Sequence, residues 1–114
     1  MLKSAQERRT DRRFNVQLPL HFRVSQRTSS SRWGVGITTD MSSGGLSFRC
    51  RRAIPVGSHV ELIIAWPAQH DDHPIDLVAT GFVVRSSATK ASIRMTSRRF
   101  RILPLADQPL AVSA

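Results

Sequence analysis

A chain of 114 residues is long enough for one modest core and too short for two, so a single domain is expected. No run of about 18 apolar residues is present to cross a membrane as a helix, and the N-terminal MLKSAQERRT lacks the apolar stretch of a secretory signal. Lysine plus arginine outnumber aspartate plus glutamate by 17 to 8, a net charge of +9, which points to an anionic partner such as nucleic acid, a nucleotide or an acidic surface.

The bias is carried by arginine, since Lys3 and Lys90 are the only lysines. The planar guanidinium fork suits bidentate contacts to phosphate and guanine edges and stacks on flat rings. A high-GC genome also enriches arginine without any functional reason. The single cysteine, Cys50, excludes an intrachain disulfide and a cysteine-based zinc cluster, and fits a reducing cytosol.

In chain order, the first 13 residues hold no apolar side chain after Ala5 and are read as a flexible arginine-rich arm. VQLPLHFRV alternates with period two, placing Val16, Leu18, Leu20, Phe22 and Val24 on one face of a strand. Pro19 marks an edge or a break in that strand. SQRTSSSRWG (25–34) reads as a loop that exposes Trp33. VGITTD is a short strand, MSSGG a turn, and LSFRC a strand with Leu46, Phe48 and Cys50 inward. IPVGS is a second turn. HVELIIAW (59–66) and IDLVATGFVVR (75–85) are the most apolar strands, and PAQHDDHP is a polar hairpin loop between them. A last strand begins at KASIRM, with Ile93 and Met95 inward, and a tail follows from Pro104. Six short strands without an amphipathic helix indicate a small antiparallel barrel or sandwich, spanning 14–103 between the arm at 1–13 and the tail at 104–114.

Three constellations bear on chemistry. His70, Asp71, Asp72 and His73 are potential metal ligands, but neighbours in a hairpin loop point apart, and a solvated loop tip with no metal is expected. No serine sits in a nucleophile elbow, and Asp71 with Asp72 is the only adjacent acidic pair, so no enzyme activity is expected. The third constellation has two parts. Arg9-x-x-x-Arg13, with Arg8 preceding it, lies ahead of the first strand, and Asp40-x-Ser42-x-x-Gly45 forms the turn DMSSGG. Either part alone is common in a basic chain with many turns; both in this order are not.

These two motifs, with the VGSHVELIIAWP and GFVVR strands, resemble the PilZ domain family, receptors for the bacterial second messenger cyclic di-GMP. The resemblance runs from about Glu7 to Arg101. It implies a six-stranded antiparallel β-barrel, a cytoplasmic protein that signals to a downstream protein, and no cofactor beyond the ligand itself. The implied ligand residues are Arg8, Arg9, Arg13, Asp40, Ser42, Gly44 and Gly45.

The chemistry of the residues agrees with that ligand. Guanine O6 and N7 accept from an arginine fork, whereas N1 and N2 donate and call for an acceptor such as Asp40. Ser42 reaches phosphate or base, and Gly44 and Gly45 open φ values closed to other residues and let backbone N–H groups approach. An arm carrying Arg9 and Arg13 can close over a dianionic ligand and so act as an order–disorder switch. Two other readings stand beside this one. A basic barrel binding single-stranded nucleic acid needs exposed stacking rings, and the chain has no tyrosine, with most Phe and Trp side chains expected in the core. A barrel of this kind used purely as an interaction module usually lacks the arginine motif.

Overall fold

The computed structural model describes residues 14–25 and 31–104. Arg8, Arg9, Arg13, the rest of the arm and the tail beyond Pro104 lie outside them. Six strands follow one another: β1 (Pro19–Ser25), β2 (Ser31–Met41), β3 (Gly45–Arg49), β4 (His59–His70), β5 (His73–Ser86) and β6 (Lys90–Ile102). Every pairing is antiparallel, and the sheet closes on itself in the order β1-β2-β3-β6-β5-β4. The fold is the all-β antiparallel arrangement expected from the alternation, and its closure is the barrel that the resemblance implies. Closure leaves β1 hydrogen-bonded to β2 and β4, so Pro19 sits at the start of a strand, where its missing N–H costs no ladder bond, and not on an edge.

Alternate residues fill the interior. Leu20, Phe22 and Val24 of β1 face Leu46 and Phe48 of β3, Val60, Leu62 and Ile64 of β4, and Val83 and Ile93 of β5 and β6. Phe22 and Phe48 meet at 5.3 Å between ring centroids. Burying side chains of this size contributes about 1.5–3 kcal/mol each. Position 36 of β2 takes glycine because a Cβ there would strike the Arg49 carbonyl oxygen. Ile54 is fully buried although it lies in the β3–β4 connection, and so closes one end of the interior from a segment that reads only as a turn.

Two expected loops prove shorter than read. Strand β2 begins at Ser31, because Ser31, Arg32 and Trp33 pair with Ser25, Val24 and Arg23. Trp33 is therefore a strand residue, exposed on the outer face with the Arg23 guanidinium 5.7 Å from its ring. The β4–β5 connection contracts from eight residues to Asp71 and Asp72, both in the left-handed region (φ 50° and 69°). That is the backbone a two-residue hairpin turn requires, and aspartate tolerates it better than most side chains. Pro67 is accommodated where the ladder shifts between Trp66 and Gln69.

The aromatic placement also differs from expectation. Only Phe22 and Phe48 are buried rings, with Trp66 packed against the core, whereas Phe14, Phe82 and Phe100 join Trp33 in being exposed. Phe82 lies on the outer face against His59, and Phe14 and Phe100 line one cavity beside the motif turn.

Candidate functional site

The chain enters the barrel beside the motif turn. Phe14 exchanges backbone hydrogen bonds with Met41, at 2.7 and 2.9 Å. Thr38, fully buried, accepts the Leu18 N–H at 2.8 Å and donates to the Val16 carbonyl. These contacts pin residues 14–18 to β2 next to Asp40.

The turn itself is held from below. Ser42 donates its N–H to the Gly45 carbonyl at 2.8 Å, and its hydroxyl leans on the same oxygen at 3.3 Å. The Gly44 carbonyl accepts from Met95 N–H, and the Ser43 carbonyl accepts from Arg98 Nη1. Three successive carbonyls are thus committed to the protein, while Gly44 N–H has no partner among the described residues. Neither Gly44 nor Gly45 takes a positive φ, contrary to expectation. Gly45 is needed for closeness instead, since a Cβ there would meet the Ile93 carbonyl oxygen; at Gly44 the space is open.

Two β-bulges shape the surface beyond this turn. Thr38 pairs with Phe48 and Asp40 with Ser47, so Thr39 is an extra residue in β2. Val83 pairs with Ile93 and Arg85 with Ser92, so Val84 is an extra residue in β5. Strict alternation from Thr38 and from Val83 would send Asp40 and Arg85 into the barrel. Each bulge instead turns the following side chain to the outer face. The result is a polar row across four neighbouring strands, Asp40–Ser47–Ser92–Arg85. Strand spacing of about 4.8 Å makes the row roughly 14 Å long.

The floor of the row is rigid and the ends differ in charge. Ser47 is 6% exposed and shares a 2.8 Å hydrogen bond with Ser92. Arg85 forms no ion pair or hydrogen bond with a described residue and is exposed. Together with Ser42 and Gly45, the row lines a cleft of about 130 Å³. That is shallower than the roughly 300–1,000 Å³ of enclosed small-molecule sites, so a ligand here lies across the surface and needs a second wall to be buried.

The structure therefore brings Asp40, Ser42 and Gly45 to one cleft, whose lining does not include Gly44. Arg8, Arg9 and Arg13 fall outside the described residues. Ser47, Ser92 and Arg85 were not singled out from the sequence. The GFVVR strand carries Arg85 in plain view, but only the bulge at Val84 decides which face it takes. Among the described residues, no group of three or more His, Cys, Asp or Glu side chains could hold a metal ion.

A closed antiparallel sheet with a polar cleft beside a hydrogen-bonded turn defines a small all-β domain. Residues 6–111 match the family model described as PilZ domain, and the chain belongs to the PilZ family, whose members are receptor domains binding cyclic di-GMP. No curated protein and no solved structure gives a significant match. No described helix is long and apolar enough to cross a membrane.

Proposed function

We propose that the chain is a cyclic di-GMP receptor whose ligand lies on the Asp40–Ser47–Ser92–Arg85 row and is covered by the arginine arm. The observation that carries this reading is the row itself, an acceptor at one end and at the other a guanidinium with no partner among the described residues, laid beside the Asp-x-Ser-x-x-Gly turn. Asp40 accepts from guanine N1 and N2, Arg85 takes a phosphate or the O6/N7 edge, and Gly44 N–H and the Ser42 hydroxyl serve the remaining polar atoms. Arg9 and Arg13, with Arg8, supply the second wall. Phe14 is anchored on Met41, so the arm starts at the edge of the cleft.

Arm closure orders several residues at about 1–2 kcal/mol each, offset by charge-assisted contacts of roughly 1.5–3 kcal/mol apiece. The closed arm is a new surface for a downstream protein, and the protein acts in the cytoplasm without catalysis of its own. A nucleic-acid reading fits the surface less well. Trp33 on β2 and Phe82 on β5 lie on opposite sides of the six-strand ring, and Phe14 and Phe100 sit at its mouth, so no continuous stacking groove joins them.

Calorimetric titration with cyclic di-GMP, beside GTP, cyclic GMP and a short single-stranded oligonucleotide, tests the proposal. Heat from cyclic di-GMP that Arg13→Ala abolishes and Arg99→Ala leaves nearly unchanged is the expected result. Equal losses from both variants would assign the affinity to general basicity, and tight oligonucleotide binding without a cyclic di-GMP response would overturn the reading.

A further inference from the structure

The ring of strands closes over only part of the molecule. β3 pairs with β6 from Lys90 to Arg94, while β6 stays on β5 as far as Ile102. Over residues 96–102, no described strand lies on the far side of β6. Alternate backbone N–H and C=O groups on that edge therefore have no strand partner among the described residues.

Beside the edge opens an apolar cavity of about 430 Å³, lined chiefly by Phe14, Met41, Trp66, Leu77, Met95 and Phe100. Trp66 and Phe100 meet edge to face at 5.3 Å, yet Phe100 keeps 58% of its surface exposed and Ile102 51%. Arg98 and Arg99 stand at the mouth, and no carboxylate lines it. Arg101 is neutralised by Asp76 at 3.0 Å, and Arg98 spends one N–H on the Ser43 carbonyl. Arg99 forms no ion pair or hydrogen bond with a described residue.

We propose that this edge and cavity accept an extended peptide segment as a further strand on β6, with a large apolar side chain on the cavity face beside Phe100 and acidic side chains on the opposite face beside Arg99. Three features select that occupant. An open strand edge presents donors and acceptors in alternation; a peptide answers both, whereas a phosphodiester chain answers only the donors. The cavity lining is apolar and fits an aliphatic or aromatic side chain. A second copy of this chain paired through the same edge would bring Arg98 and Arg99 against their own kind, which repels. The cavity adjoins the dinucleotide cleft through Ser42, which lines both, and through the Ser43 carbonyl held by Arg98, but the peptide-binding edge does not depend on that reading.

The test is titration of the ¹⁵N-labelled full chain with two synthetic decapeptides, one alternating valine or leucine with glutamate and the other with lysine in place of glutamate. A single-stranded oligonucleotide of similar length is the third probe. The glutamate peptide is expected to shift the amides of 96–102 and to bind at least tenfold more tightly than the lysine peptide. Arg99→Glu, at an exposed position, should reverse that preference, and Phe100→Ala should weaken the glutamate peptide with little change in its shift pattern. Equal binding of the two peptides, amide shifts confined to other strands, preferential binding of the oligonucleotide at 96–102, or concentration-dependent self-association through β6 would each overturn the proposal.

Discussion

Arg85 is the side chain on which the candidate site most depends. It ends a row that begins at an acid, and nothing described neutralises it. A charge-assisted contact of roughly 1.5–3 kcal/mol corresponds to about a ten- to hundredfold change in affinity. Arg85→Ala should weaken cyclic di-GMP by that factor in calorimetry. Arg85→Lys should recover only part of it, because an ammonium keeps the charge and loses the planar fork. Cys50 illustrates the opposite case, a nucleophile made inert by its surroundings. Burial pushes its thiol above the ordinary value, and the nearby Arg32 charge pulls it only partly back. A raised acid pKa means that the folded state holds its proton longer than the unfolded state. The associated stability is present below the unfolded thiol value and is lost as pH rises through the folded one. Iodoacetamide at pH 8 should accordingly modify Cys50 slowly in the native protein and much faster in urea.

At the scale of elements, the β2 strand does two jobs that depend on Thr38 and Thr39. Thr38 ties the entering chain to the barrel through Leu18 and Val16, and Thr39 is the extra residue that turns Asp40 outward. The Thr39 hydroxyl is buried with no hydrogen-bond partner among the described residues, a cost tolerated at a bulge that aims the Asp40 side chain into the candidate cleft. Thr38→Val keeps the shape but leaves the buried Leu18 N–H unpaired, at about 1–3 kcal/mol, and the part-buried Val16 carbonyl without its donor. Urea denaturation should show that loss. Cyclic di-GMP affinity should fall as well, because residues 14–18 lead the arm to the cleft. The same strand shows how far local pattern carries. VGITTD reads as a strand from its alternation, and DMSSGG as a turn from its composition. The extension back through Ser31, Arg32 and Trp33 does not appear in a Ser/Arg-rich stretch, because it is imposed by pairing with β1. The eight-residue polar loop after Trp66 likewise becomes two strand ends and a two-residue turn, since the β4–β5 ladder extends as far as backbone pairing allows.

For the whole molecule, a ligand that binds only the folded state must stabilise it. At a hundred times its dissociation constant, cyclic di-GMP should raise the unfolding free energy by about 2.7 kcal/mol. A thermal or urea melt should show the shift, and Arg13→Ala should erase it. The net charge of +9 predicts that added salt weakens this effect. The periodicity of the chain by itself determined the strand count, the antiparallel architecture and most of the core, because alternating burial is a local property that each segment states for itself. It also determined the two halves of the candidate motif, because those are residue types at fixed spacing. Only the tertiary structure decided which side chains stand next to Asp40. The row from Asp40 to Arg85 joins residues 45 positions apart across four strands, and two single-residue insertions reverse the faces that alternation assigns. The edge of β6 that no described strand covers was decided in the same way, because whether a strand has a neighbour depends on where another strand ends.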